Sequence, residues 1–286
     1  MALPTFFIIG APKAGTTSLH YYLNQHPQIQ MSAIKEPRFF APPLNPLNEK
    51  RRVNRLDKYE RLFDPAIGVR GEASPNYSEY PFRQGVPERI KKLVPDAKFV
   101  YLVRDPVERT ISHYDHLVAS EGERRSLTET LSDLSDPRLP YICASLYALQ
   151  LELYLREFSQ QRMLVADQAE LLTDRRATLQ KIFAFLGVDD AFDSSRFEIE
   201  QNRGEEHRTY SPRLARFVGR TIRPRTQWLP PRIRQTVRRS AERVLLPTHE
   251  KSTLDAESRA RLEELYTGEI ERLRTLTGKA FPSWSV

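Results

Sequence analysis

The sequence contains one cysteine, Cys143, among 286 residues, so no disulfide can form within the chain. A single thiol is typical of proteins in a reducing compartment, and we expect a cytoplasmic protein. No run of about 18 apolar residues is present, and no charged segment with a cleavage site precedes the first apolar run. The sequence therefore predicts neither a membrane-spanning helix nor a secretory signal.

Acidic residues are nearly missing from residues 211–247, which contain ten arginines and one acid, Glu242. This segment carries +9 of a total net charge of +7, so the remainder of the chain is slightly negative. Charge confined to one segment disfavours a nucleic-acid partner. Two interpretations stay open: a basic surface that makes peripheral contact with anionic lipid or polymer, or helices that cover the core with exposed arginines.

The first strongly apolar run, residues 6–9, leads into a loop bracketed by two glycines: Gly10-Ala11-Pro12-Lys13-Ala14-Gly15-Thr16-Thr17-Ser18. A strand, a glycine loop and a helix N-terminus together bind anions through backbone N–H groups and the positive end of the helix. The spacing nearly matches the triphosphate loop G-x-x-x-x-G-K-[ST], but Thr16 occupies the lysine position and Lys13 lies inside the loop. Because that lysine contacts the β- and γ-phosphates, its displacement indicates an anion other than a Mg²⁺-bound triphosphate.

Apolar strands alternate with amphipathic helices along the chain, the longest helix being predicted over residues 255–277. This alternation predicts an α/β fold, a P-loop-type parallel sheet flanked by helices on both faces. We expect a single domain over residues 1–286, with residues 120–140 forming a polar loop.

Two further strand ends carry chemically active side chains. Arg104 follows the apolar strand 98–103 and precedes a helix that includes Ser112, and Glu72 ends a shorter strand. In an open parallel sheet, ligands bind beyond the carboxyl ends of the strands, so we expect Lys13 and Arg104 to face one ligand with two anionic groups. Glu72 is then a candidate general base.

These motifs resemble those of the sulfotransferases that use 3′-phosphoadenosine 5′-phosphosulfate (PAPS). Residues 10–18 are similar to the family's P-K-x-G-[ST]-[ST] loop, and residues 101–114 are similar to its R-[DN]-P-x-x-R-x-x-S motif. No histidine lies between His26 and His113, whereas members that act on phenols and steroids place a catalytic histidine between the motifs. The resemblance is therefore closer to the carbohydrate (heparan-sulfate-type) and bacterial branch, whose glutamate base Glu72 matches.

The resemblance implies a role for each matching residue. The loop that would hold the 5′-phosphosulfate consists of Pro12, Lys13, Ala14, Gly15, Thr16, Thr17 and Ser18. Lys13 would also stabilise charge on the leaving oxygen, and Arg104 with Ser112 would bind the 3′-phosphate. Glu72 would accept the proton of an acceptor hydroxyl that attacks sulfur in line, and Lys35 would lie near that acceptor. Arg38 departs from the histidine that the branch often has there.

The implied products are the sulfated acceptor and adenosine 3′,5′-bisphosphate (PAP), and the reaction requires no metal. The acceptor is open, because a glycan, a glycolipid and a small hydroxylated metabolite all offer a hydroxyl, and the oligomeric state cannot be read from the sequence. Two other functions stay open: a P-loop nucleotide kinase or hydrolase, and a non-catalytic module that binds anions or membranes through residues 211–247.

Overall fold

Five parallel strands form the central sheet of the computed structural model, which describes residues 2–43, 52–120, 123–132, 139–199, 207–208, 248–249 and 251–286. The strands are β1 (Phe6–Gly10), β2 (Ile29–Met31), β3 (Val69–Ala73), β4 (Lys98–Val103) and β5 (Met163–Asp167). Their order across the sheet is β2-β3-β1-β4-β5, and every pair is parallel. The central strand β1 is wholly buried, as a continuous apolar run requires.

Helices lie between these strands in sequence and also follow β5. They are α1 (Thr16–Leu23), α2 (Leu56–Glu60), α3 (Val86–Leu93), α4 (Pro106–Ser120), α5 (Leu127–Thr130), α6 (Pro140–Cys143), α7 (Tyr147–Leu155), α8 (Gln168–Thr173), α9 (Arg175–Leu186) and α10 (Ala256–Thr277). A 3-10 helix, Pro75–Ser78, directly follows β3. The parallel sheet with connecting helices confirms the predicted α/β class. No helix among these described residues combines the length and the apolarity that a membrane crossing requires.

The chain divides into two compact units, each built from separate stretches of sequence. The first contains Met1–Thr110, Leu134–Gln201 and Arg259–Val286, and the second contains Ile111–Asp133 and Asn202–Ser258. The sheet belongs to the first unit, and a short antiparallel pair, β6 (His207–Arg208) with β7 (Thr248–His249), belongs to the second. The single domain over residues 1–286 stays a prediction. The arginine-rich segment 211–247 lies outside the described residues.

The expectation of a loop over residues 120–140 is wrong for part of that stretch, which contains α5. Ser126 caps this helix: the Glu129 N–H donates to Ser126 Oγ at 3.1 Å, and the Ser126 N–H donates to Glu129 Oε2 at 2.7 Å. This reciprocal capping box satisfies two N–H groups that a four-residue helix cannot pair internally. The Ser-x-x-Glu spacing was the sequence signal for it.

Gly10 is the point where the 3-10 helix approaches the end of β1. A Cβ built on Gly10 would lie 2.0 Å from Ser78 Oγ and 2.9 Å from the Tyr101 ring. Any side chain at this position would therefore push the 3-10 helix away from the strand end. Close packing, rather than backbone conformation, requires the glycine.

We predict that Gly10→Ala lowers the free energy of unfolding by about 1–3 kcal/mol, the usual cost of overpacking a buried site. Gly268→Ala is the matched control, because Gly268 lies within α10 and a Cβ there meets no atom within 4 Å. That control should gain about 0.5–1 kcal/mol from its higher helix propensity. Urea unfolding of both variants measures the difference, and an unchanged stability of Gly10→Ala would contradict the packing argument.

Candidate active site

The loop between β1 and α1 forms an anion cradle. Lys13 and Gly15 have positive φ angles of 68° and 96°, which turn the chain sharply before α1 begins at Thr16. The Ala11 N–H donates to the Leu102 carbonyl of the neighbouring strand at 2.5 Å, which anchors the start of the loop. The first-turn N–H groups, including those of Thr16 and Thr17, cannot bond within the helix and lie at its positive end. The cradle therefore suits a phosphate or sulfate group.

Arg104 reaches this cradle from the next strand. Its Nη1 donates to the Lys13 carbonyl oxygen at 3.3 Å, and its own carbonyl accepts from the Tyr147 hydroxyl at 2.8 Å. Burial lowers the pKa of Arg104, but the Glu108 carboxylate 3.8 Å away opposes this, and a guanidinium stays charged at neutral pH. The structure thus brings together the two motifs that lie 91 residues apart in sequence.

Two other residues of the second motif lie in different environments. Arg109 is completely buried, and its guanidinium donates to Ser145 Oγ and to the Tyr141 carbonyl, so it anchors α4 to the segment around α6. Ser112 lies on α4 in the second unit and is partly exposed. Its contact with a 3′-phosphate stays a prediction.

A cluster of three charged side chains follows β2. Glu36 pairs with Lys35 Nζ at 2.5 Å through Oε1 and with Arg38 Nη2 at 2.7 Å through Oε2. Burial alone would raise the pKa of Glu36, but the charges and hydrogen bonds of Lys35 and Arg38 outweigh it and hold the pKa below its usual range. The Glu36 side chain is 29% exposed, so a ligand can reach this carboxylate.

The cluster lies at the same edge of the sheet as the cradle. The Glu36 N–H donates at 3.1 Å to the carbonyl of Ala73, the last residue of β3, and β3 pairs directly with β1. His20 on α1 interacts electrostatically with both Lys35 and Glu36. Burial and the Lys35 charge lower the pKa of His20 to about 4, so its imidazole is neutral at physiological pH.

Glu72, the base expected from the sequence, is completely buried. Ser74 Oγ donates to its Oε1 at 2.6 Å, and the Tyr59 hydroxyl donates to its Oε2. Burial raises its pKa to about 7. That pKa suits a general base, but the carboxylate has no surface that an acceptor can touch.

Sequence reasoning overlooked Glu36 because it treated Lys35 alone as the candidate beside the acceptor. The usable signal was the alternation of charge in Lys35-Glu36-Pro37-Arg38. The backbone geometry around Glu36 could not be predicted from the residue pattern, since Glu36 and Arg38 have positive φ angles of 59° and 55°. Residues other than glycine rarely adopt this conformation.

Comparison with known proteins agrees with these features. The family described as a sulfotransferase domain has a model that matches residues 3–214. The chain belongs to this sulfotransferase family. Among solved structures, a sulfotransferase from Alicyclobacillus acidocaldarius superposes with a TM-score of 0.73 and 27% identity, and the match covers 100% of both chains.

Curated relatives of this sulfotransferase act in the heparan sulfate branch. Mouse heparan sulfate glucosamine 3-O-sulfotransferase 3A1 is 30% identical over 71% of this chain and 50% of its own length. Mouse bifunctional heparan sulfate N-deacetylase/N-sulfotransferase 4 is 26% identical over 99% of this chain but 31% of its own length. The chain thus spans between 31% and 50% of the length of these relatives. The family and branch predicted from the sequence are confirmed.

We predict that His20→Gln makes the free energy of unfolding less dependent on pH below pH 6.5. The folded protein holds the pKa of His20 at about 4, against 6.5 for the unfolded chain, so the unfolded state binds more protons between these values. Stability therefore falls as pH drops from 6.5 to 4, by up to about 3 kcal/mol from this residue.

Urea unfolding at pH 7 and pH 4.5 measures the effect, and the unaltered protein should lose more stability than His20→Gln. Glu72 acts in the opposite direction, since its raised pKa gives stability that is lost as pH rises from 4.5 to about 7. Glu72 is present in both proteins and cancels in the comparison. Parallel pH profiles would show that His20 is not held neutral by the fold.

Proposed function

We propose that this protein transfers the sulfuryl group of PAPS to a hydroxyl of a glycan. The observation that carries the proposal is the contact of the Arg104 guanidinium with the carbonyl of Lys13. It joins a second cationic group to the glycine cradle, at adjacent strand ends. A nucleotide with phosphate on both its 3′ and 5′ sides needs two such anion sites.

The residues present fit PAPS. The 5′-phosphosulfate would bind the first-turn N–H groups of α1 and the hydroxyls of Thr16 and Thr17, within the loop of residues 12–18. Arg104 would pair with the 3′-phosphate, and Ser112 is its proposed partner. When bound, PAPS supplies the sulfuryl group and a phosphate leaving group. The Lys13 ammonium would compensate the negative charge that develops on the bridging oxygen.

We assign the role of general base to Glu36 instead of Glu72. Glu36 is partly exposed, and its lowered pKa keeps it ionised and able to accept a proton at physiological pH. Glu72 has no exposed surface, so an acceptor hydroxyl cannot reach its carboxylate. Lys35 lies 2.5 Å from Glu36, and its ammonium group would offset the negative charge of a sulfate group that approaches the acceptor.

A glycan acceptor is supported by the relatives, whose names specify heparan sulfate. The acceptor side also presents two cations, Lys35 and Arg38, around a single carboxylate. An acidic polysaccharide complements this surplus of positive charge better than a neutral metabolite does. Peripheral membrane contact through residues 211–247 stays a prediction, as does the cytoplasmic location.

We predict that PAP raises the melting temperature more than Mg²⁺-ATP does, because a ligand that binds only the native state stabilises it in proportion to affinity. Arg104→Ala should weaken PAP binding about 10- to 100-fold, the usual loss for a charge-assisted hydrogen bond to phosphate. Arg55→Ala is a matched control, because Arg55 lies on the surface in an exposed ion pair with Asp57. Equal shifts by both nucleotides, or activity that EDTA abolishes, would favour a P-loop kinase or hydrolase.

We also predict that Glu36→Gln keeps PAP affinity but lowers kcat about 10²- to 10⁴-fold, the range that a general base contributes. The glutamine keeps the shape and the hydrogen-bonding reach but cannot take the acceptor proton. Initial rates with labelled PAPS and a heparan-type oligosaccharide measure this, and calorimetry measures PAP binding. Full turnover by Glu36→Gln together with an inactive Glu72→Gln would return the role to Glu72.

A further inference from the structure

Glu72 lies at the centre of a buried group of hydroxyls. Ser74 and Tyr59 each donate a hydrogen bond to one of its carboxylate oxygens. The Tyr77 hydroxyl also acts on this carboxylate, and the three hydroxyls together oppose the rise in pKa that burial causes. Hydroxyls from Ser74, which follows β3, from α2 and from the 3-10 helix therefore converge on one carboxylate.

Each of these hydroxyl side chains also holds one of three consecutive residues. The Arg38 N–H donates to Ser74 Oγ at 3.2 Å, and the Phe40 N–H donates to the Tyr77 hydroxyl at 3.1 Å. Between them, the Phe39 ring stacks on the Tyr59 ring with centroids 4.3 Å apart and planes 8° apart. Each residue of the run 38–40 therefore contacts a different side chain of the group around Glu72.

The carbonyl groups of this run face separate partners. Arg52 donates through Nη2 to the Phe39 carbonyl at 3.3 Å, and Arg89 donates through Nε to the Phe40 carbonyl at 2.6 Å. The Arg38 and Phe40 N–H groups thus donate to hydroxyls, while the Phe39 and Phe40 carbonyls accept from arginines. Because Glu36 and Arg38 both have positive φ angles, the run needs such external contacts to keep its conformation.

We propose that Glu72 is a positioning residue: acting through Ser74, Tyr59 and Tyr77, it fixes the backbone of residues 36–40 and thereby directs Glu36 and Lys35 towards the acceptor. What Glu36 and Lys35 do there rests on the proposed function. The positioning of the backbone of residues 36–40 does not rest on the proposed function, because it follows from the hydrogen bonds alone.

The direction of the protons explains why a carboxylate is needed. An ionised carboxylate only accepts, so each hydroxyl must donate to it and keeps its lone pairs for the backbone N–H groups. A protonated Glu72, or a glutamine, carries a donor of its own and forces one hydroxyl to turn. The other titratable groups that face Glu72 are Tyr59 on α2, Tyr77 on the 3-10 helix and Tyr154 on α7, and burial raises the pKa of all three.

The first test is amide hydrogen exchange of the full chain, resolved by residue with NMR. In Glu72→Gln we expect the Arg38 and Phe40 amides to exchange at least about 10-fold faster relative to the amides of α1. A roughly 10-fold faster exchange corresponds to the loss of one or two hydrogen bonds that oppose local opening. Asp167→Asn is the matched control, a buried strand-end carboxylate on β5 that accepts from Trp284 Nε1 at 3.1 Å. It should leave the ratio unchanged.

Two conservative variants keep the proposal testable if Glu72→Gln does not fold. Ser74→Ala should release the Arg38 amide alone, and Tyr77→Phe should release the Phe40 amide alone.

In the unaltered protein, protection of both amides should fall as pH drops below about 7, when Glu72 becomes protonated, and this pH dependence should be missing from Glu72→Gln. Unchanged protection of residues 38–40 in all three variants would overturn the proposal.

Kinetics separate this inference from the proposed function. With active protein, Glu72→Gln should raise the KM for the acceptor and lower kcat while PAP affinity stays constant, and Asp167→Asn should keep both parameters. If the unaltered protein neither binds PAP nor transfers sulfuryl, the proposed function fails, and the exchange pattern still decides the role of Glu72. If transfer is normal in Glu72→Gln and the exchange ratio is unchanged, the positioning role fails alone.

Discussion

Parallel pairing of β1 with β3 on one side and with β4 on the other determines where the site of the first unit lies. Because parallel strands end at the same edge of a sheet, three successive loops meet there although they are far apart in sequence. The middle loop is the anion cradle, the β4 side contributes Arg104, and the β3 side supports Glu36. Antiparallel pairing of either neighbour would separate these groups by the length of a strand.

The two carboxylates on the β3 side show how environment gives one side-chain type different acidity and exposure. Glu36 is partly exposed between two cations, which lower its pKa, whereas Glu72 is buried among hydroxyls, and desolvation raises its pKa to about 7. A buried carboxylate without any donors would be far more costly, so the hydroxyls of Ser74 and Tyr59 are part of the requirement for Glu72. They also extend its influence to the backbone at residues 38–40.

Much of the fold could be predicted because its signals are local. The continuous apolar runs of β1 and β4 indicated buried parallel strands, and the glycines around Lys13 indicated a cradle. Short elements such as α5 were missed, since four residues give no periodicity and only the capping pair marks them. Arg109 belongs to the same motif as Arg104, but only burial shows that it supports α4 from within the core.

The sequence by itself determined the sulfotransferase family, the parallel α/β architecture and the loop that suits a phosphosulfate, because each depends on residue types at short, fixed spacings. Tertiary structure alone decided which glutamate meets solvent, since burial and charge pairing arise from segments that are distant in the chain. Glu36 is partly exposed in a segment with positive φ angles, and Glu72 is buried against Tyr59 of α2 and Ser74. Local motifs therefore encode the anion cradle, whereas the exposure of each glutamate depends on packing.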